Sequence, residues 1–169
     1  MTVTPVRPRK WLQRPDVRRL LMLSLATVTI LVDQASKGWA LARLPVGNIQ
    51  PLVPGLLQLR RVSNTGAAFS LFTGSPLPLG LVSALVSLGL LIWILRRPPA
   101  SPWSTVALSL LLGGAMGNGI DRWRSGAVVD FLEFIPIHFP IFNLADVAIN
   151  LAVACFLIDL LRPHADRHA

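Results

Sequence analysis

Apolar residues in this chain are gathered into long runs rather than spread in the short alternations of a soluble fold. Four stretches, roughly 19–41, 77–95, 103–120 and 144–161, approach the ~20 apolar residues that a helix needs to cross a bilayer. A backbone in hydrocarbon must satisfy its own hydrogen bonds, so such runs are expected to be helical. Punctuation supports the boundaries. Pro76 and Pro78 open the second run, Arg96-Arg97-Pro98-Pro99 stops it, and Arg162-Pro163 stops the fourth. Trp39, Trp93, Trp103 and Trp123 fall near run ends, where amphipathic rings favour the membrane interface.

The segment 44–75 breaks the pattern. Val46-Gly47-Asn48-Ile49, Pro51 and Pro54-Gly55 are too polar and too interrupted to cross, while Leu56-Leu57-Gln58-Leu59-Arg60-Arg61-Val62 alternates in part. Short strands lying on the membrane surface are expected there. Further on, Gly126-Ala127-Val128-Val129 makes a short extended approach to Asp130.

Composition agrees: 53% of the 169 residues are hydrophobic and 14% charged, against about a quarter charged in soluble domains. The expected fold is an all-α membrane protein, four transmembrane helices with a small extracytoplasmic β-rich segment. It forms one domain over 18–162, between a basic tail, 1–17, and a short tail, 163–169. The net charge of +8 is concentrated at flanks: Arg7, Arg9, Lys10, Arg14, Arg18 and Arg19, then Arg96-Arg97, then Arg162 and Arg167. By the positive-inside rule both termini and the turn between the second and third spans are cytoplasmic. This distribution argues against nucleic acid as a partner. The segments 44–75 and 121–143 then face outward, although they carry Arg60, Arg61, Arg122 and Arg124. The first run continues through Asp33-Gln34 and Lys37 without a small-residue cleavage site, so it reads as an uncleaved span rather than a leader. Cys155, the single cysteine, has no partner for an intramolecular disulfide and reads as a small hydrophobe.

Against this apolar background the polar residues stand out. Asp33 and Lys37 are four apart and share a helix face, either as a structural ion pair or as support for a site above it. Gly113-Gly114-Ala115-Met116-Gly117-Asn118-Gly119-Ile120-Asp121-Arg122 combines small residues that permit close helix packing with a polar end. Asn118 and Arg122 are four apart, with Asp121 on an adjacent face. The Arg122 fork suits a carboxylate or a backbone carbonyl. Asp130 and Asp146 carry the largest cost, since a carboxylate at membrane depth costs about 2.5–3.5 kcal/mol or more. Held together, two such acids share a proton and activate water. The bland alternatives are a helix cap for Asp146 and a loop hydrogen bond for Asp130. Asn64, Asn118, Arg122 and Asn143 converging on the same rim favour a site.

Other chemistry is thinly represented. His138, His164 and His168 lack metal-ligand spacing with the acids, and Ser63 and Ser70 lack a base nearby in sequence. There is no glycine-rich phosphate loop. Asp159 and Asp166 read as solvated flanks, and Glu133 as an interfacial residue. Neither a metal nor an organic cofactor is called for.

Five motifs together resemble one family. Val32-Asp33-Gln34-Ala35-Ser36-Lys37, Asn64-Thr65-Gly66-Ala67-Ala68-Phe69-Ser70, the Gly113-to-Arg122 run, Val128-Val129-Asp130-Phe131 and Phe142-Asn143-Leu144-Ala145-Asp146 look like those of signal peptidase II, the bacterial membrane aspartyl proteases. The resemblance covers the chain apart from its tails. It implies that Asp130 and Asp146 are the catalytic dyad. It also implies that Asp33, Lys37, Asn64, Gly66, Asn118, Arg122 and Asn143 support the site or contact substrate. The implied substrate is a prolipoprotein carrying diacylglycerol on its lipobox cysteine, cut just before that cysteine. The implied location is the bacterial cytoplasmic (inner) membrane, with membrane lipid as a partner, the site on the extracytoplasmic side and the chain acting as a monomer. Gly119 and Val147 depart from the family's habit of a larger apolar residue and a serine. Two rivals are a small four-span transporter or channel and a glycine-packed assembly protein. The first expects acids at the bilayer centre and little outer structure. The second leaves the Asn/Arg/Asp convergence unexplained.

Overall fold

The computed structural model describes residues 14–66, 76–99, 101–137 and 139–162. The chain order is α1 (Pro15–Arg43), β1 (Ile49–Val53), β2 (Leu57–Asn64), α2 (Pro76–Arg96), α3 (Pro102–Ser125), β3 (Val128–Phe134) and α4 (Leu144–Leu161). Four helices therefore occupy the four apolar runs. Two of them, over Leu77–Arg96 and Leu144–Leu161, are long and apolar enough to cross a membrane by themselves.

Two helices outrun their expected bounds. α1 begins at Pro15, where a proline at the first helical position gives up no intrahelical bond, and Asp16 in its first turn pairs with Arg19 at 3.1 Å. Residues 15–17 thus belong to the helix, not to the basic tail. α3 continues past Ile120 to Ser125, closed by Gly126 at φ 73°, whose N–H returns to the Arg122 carbonyl at 3.1 Å. Asp121 and Arg122 are therefore fixed on a helix rather than carried by a loop.

α3 is the central helix and packs against the other three. Its glycines are what permit this. A Cβ at Gly114 would lie 2.7 Å from the Ala145 carbonyl oxygen, and one at Gly117 would lie 2.5 Å from Asp33 Oδ2. One buried cluster, Met22, Ala26, Ile94, Leu108 and Leu112, joins α1, α2 and α3. A second, Ala40, Leu44, Leu59, Phe131 and Leu132, seats the sheet on the C-terminal end of α1.

The sheet is antiparallel in the order β1-β2-β3. Gly55 at φ 75° turns β1 into β2. Leu59 faces Leu132 and Val62 faces Asp130, with an irregularity between them. The two strands in 44–75 were expected. The third extends the short approach to Asp130 into a full strand, tied to the next segment by a pair of 2.9 Å bonds between Leu132 and Phe142. Residues 67–75, including Ala67-Ala68-Phe69-Ser70, lie outside the described residues, as do 1–13 and 163–169.

At the end away from the sheet, Asp159 departs from its expected role as a solvated flank. It accepts hydrogen bonds from the Ser101 and Ser104 hydroxyls, while Arg162 stands over the Trp103 ring at 5.4 Å. These contacts tie the start of α3 to the end of α4.

Candidate active site

A buried cation organises the polar residues. Lys37 Nζ, on a side chain 3% exposed, lies 2.8 Å from Asp33 Oδ2 and 3.0 Å from Asp121 Oδ2, and donates to Asn118 Oδ1 at 2.9 Å. An ammonium has three N–H donors, and all three find partners. Asp33 Oδ1 accepts from the Ala145 N–H at 2.9 Å, which fixes the first turn of α4. Asp121 Oδ2 accepts from the Val129 N–H at 3.2 Å, which fixes β3. Gln34 Nε2 joins the same group through Asp121 Oδ1 at 2.9 Å and the Gly117 carbonyl at 3.2 Å. α1 thus anchors both segments that carry Asp130 and Asp146.

Lys37 also sets the orientation of the next residue. Because an ammonium only donates, Asn118 must turn its Oδ1 toward Lys37 and its Nδ2 away. That Nδ2 donates to Asp146 Oδ1 at 2.8 Å. Asn143 completes the chain. Its Nδ2 donates to Asn118 Oδ1 at 3.0 Å and to Asp130 Oδ1 at 2.6 Å. Its Oδ1 accepts from the Asp146 N–H at 3.0 Å, and its own N–H donates to Asp146 Oδ2 at 3.1 Å. The last two bonds make a capping box at the start of α4. The cap expected as the bland role of Asp146 is therefore present, and it coexists with a link to Asp130 through a single asparagine.

The remaining partners come from the sheet side. Asn64 Nδ2 donates to Asp130 Oδ2 at 2.9 Å, and its Oδ1 accepts from the Gly66 N–H at 2.9 Å. Arg122 Nη2 donates to the Gly66 carbonyl at 3.3 Å and Nη1 to the Asn118 carbonyl at 3.4 Å. Of the two targets that the Arg122 fork suited, it takes backbone carbonyls. Each carboxylate oxygen of Asp130 thus accepts one bond from a neutral amide, and Asp130 is only 2% exposed. Burial pushes its carboxyl up to about 6. The charge of Asp146 adds to the rise, while the Asn64 and Asn143 amides and the charge of Lys37 oppose it.

Both acids line a cavity of about 1020 Å³ with Asn64, Asn118 and Arg122. The opposite walls are apolar and include Phe134, Phe142, Val147 and Leu151. A polar corner able to bind water and a carbonyl therefore opens on a space suited to hydrocarbon.

The structure brings Asp33, Lys37, Asn64, Gly66, Asn118, Arg122, Asn143, Asp130 and Asp146 into one bonded network. Sequence reasoning passed over one member, Gln34, and gave Asp121 a place at the polar end of the third helix without a role in the site. The signal for both was spacing: Gln34 stands three residues before Lys37, and Asp121 three after Asn118. Glu133, read as interfacial, accepts from Gln58 Nε2 at 2.8 Å across β2 and β3. His138, His164, His168 and Ser70 lie outside the described residues.

Residues 25–162 match the family described as signal peptidase (SPase) II. A lipoprotein signal peptidase of Parasynechococcus marenigrum (strain WH8102) is 56% identical over 85% of this chain and 91% of its own. One from Synechococcus sp. (strain RCC307) is 56% identical over 86% and 97%. One from Gloeobacter violaceus (strain ATCC 29082 / PCC 7421) is 48% identical over 81% and 79%. A solved bacterial membrane enzyme superposes with a TM-score of 0.77 at 29% identity, covering 83% of this chain and 87% of that one. Matched over most of its length in both sequence and fold, the chain belongs to the signal peptidase II family and is an aspartic protease.

Proposed function

We propose that this protein removes signal peptides from diacylglyceryl-modified prolipoproteins, cutting just before the lipidated cysteine, with Asp130 and Asp146 as the catalytic pair. The observation that carries the reading is Asn143, which bonds both carboxylates at the polar corner of the cavity. Two acids coupled in this way, Asp130 buried and Asp146 half-buried, hold one proton between them, and the proton belongs to the pair. The ionised member takes a proton from water. The protonated member donates to the scissile carbonyl as the water oxygen attacks the carbonyl carbon. The resulting tetrahedral intermediate then collapses, and a proton passes to the leaving amine. Asn64, Asn118 and Asn143 occupy one lone pair on each acid oxygen, which leaves the others for water and substrate. No metal or organic cofactor enters this chemistry.

The apolar walls suit the diacylglyceryl chains, and the β-sheet is placed to pair with an extended peptide. In a bilayer we place all four helices across the membrane, with both termini cytoplasmic and the sheet at the outer face of the bacterial inner membrane. α1 has 29 residues and α3 has 24, about 43 and 36 Å at 1.5 Å per residue, enough to span ~30 Å of hydrocarbon. Asp33, Gln34 and Lys37 of α1 and Asn118 and Asp121 of α3 turn inward onto the network. The chain is proposed to act as a monomer on lipidated protein substrates.

The test is cleavage of a diacylglyceryl prolipoprotein in detergent. Asp130→Asn and Asp146→Asn are each expected to lose at least about 10³-fold in kcat while still inserting into membranes. Normal turnover by either variant removes the dyad assignment.

A further inference from the structure

Strand β3 sends alternate residues to opposite sides. Val128 and Asp130 line the cavity of the acids, whereas Ala127 and Val129 line a second cavity of about 460 Å³. Its apolar wall includes Leu41 and Val46, and its polar rim carries Arg60 and Arg61. Arg61 is drawn onto the rim by a bond from Nη1 to the Leu41 carbonyl at 2.8 Å, and among the described residues no carboxylate pairs with it. Arg60 reaches Glu133 only at 3.5 Å, with its side chain 46% exposed. Below Leu41, the residues Gly38, Ala35, Leu31 and Val28 follow at steps of three and four, hence on one face of α1, and all are exposed. A Cβ on Gly38 would meet nothing within 4 Å. The two-arginine rim thus lies at the head of an exposed apolar stripe running down the helix.

We propose that this second cavity binds an anionic phospholipid, with its phosphate at Arg60 and Arg61 and an acyl chain along the α1 stripe from Leu41 to Val28. Guanidinium forks match the paired oxygens of a phosphodiester. The exposed apolar stripe that begins at Leu41 favours a lipid over a soluble anion or an acidic peptide, neither of which would use it. An anionic headgroup also gives a reason for adjacent arginines on the side of the membrane that the positive-inside rule disfavours. The inference rests on the proposed membrane placement, with this end of α1 at headgroup depth.

The test is native mass spectrometry of the full chain in neutral detergent, titrated with dioleoylphosphatidylglycerol or dioleoylphosphatidylcholine. The first lipid is expected to bind about tenfold more tightly. Arg60→Gln with Arg61→Gln removes this preference, Arg60→Lys with Arg61→Lys keeps most of it, and Arg124→Gln leaves it intact. Gly38→Leu, which adds bulk in the middle of the stripe without changing charge, weakens phosphatidylglycerol binding. Four outcomes overturn the site: equal affinity for the two lipids, an unchanged preference in the glutamine pair, an equal loss in Arg124→Gln, or displacement by glycerol 3-phosphate or an acidic peptide at equal concentration. The measurement reads no turnover. An inactive preparation therefore leaves the lipid result standing, and the Asp130→Asn assay judges the peptidase reading separately.

Discussion

Lys37→Met is the perturbation that probes the network most directly. The substitution keeps the bulk of the side chain and removes its charge. Asp33, 0% exposed, and Asp121, 7% exposed, then lose a cation at 2.8 and 3.0 Å. Breaking a buried ion pair by removing one partner costs about 3–5 kcal/mol. For a chain of this size each kcal/mol lowers Tm by about 2–4 °C, so a fall of about 6–20 °C is expected. Activity falls as well, because Asn118 is no longer obliged to present Nδ2 to Asp146. Thermal unfolding in detergent measures the first effect and cleavage of a lipidated prolipoprotein the second. The triple change Asp33→Asn, Lys37→Met, Asp121→Asn strands no charge and should recover at least half of the lost stability without restoring activity. A single variant that melts within about 2 °C of the parent, or a triple variant no more stable than the single, refutes the reasoning.

Four further outcomes follow from the geometry. Asn64→Ala removes a bond that favours ionised Asp130, so the Asp130 carboxyl rises further above about 6. The alkaline limb of the kcat/KM profile, where the pair loses its shared proton, moves upward in pH, and a downward move contradicts the assignment. Gly117→Ala places a methyl group 2.5 Å from Asp33 Oδ2 and should destabilise by about 1–3 kcal/mol. Gly38→Ala meets nothing within 4 Å and should stabilise by up to about 1 kcal/mol through helix propensity; comparative melting checks both signs. Arg122→Ala, which loses its hold on the Gly66 carbonyl, is expected to reduce cleavage far more than Arg124→Ala, and equal mild losses argue against a pocket role for Arg122.

Local chemistry made much of this legible. Runs of apolar residues marked the helices because hydrocarbon imposes a length and forbids unpaired backbone. The acids and amides stood out because each is costly in such surroundings. What stayed hidden depends on which helix faces meet. Gln34 and Asp121 bond across 87 residues of sequence, and no local pattern reports that contact. Asp159 looked like a flank because it lies at the expected cytoplasmic end of the fourth apolar run, yet the serines that bind it are more than fifty residues earlier. The third apolar run ends at Ile120, whereas the helix that contains it ends only at the left-handed Gly126. The full reach of β3 was hidden because Val128-Val129-Asp130-Phe131-Leu132 is apolar on both faces around its acid and so lacks the alternation that marks a half-buried strand.

Asn118 has a consequence for how the site handles charge. It stands between Lys37 and Asp146, so the cation acts on the acid through an amide and not by contact. On the proposed mechanism, direct pairing with the ammonium would hold a carboxylate ionised and strip the pair of its shared proton, whereas the interposed amide lets the cation act on the acid without contact. The asparagine is thus an insulating spacer, and in that mechanism a longer side chain on the cation or a shorter one on the spacer would turn the acid pair into an inert salt.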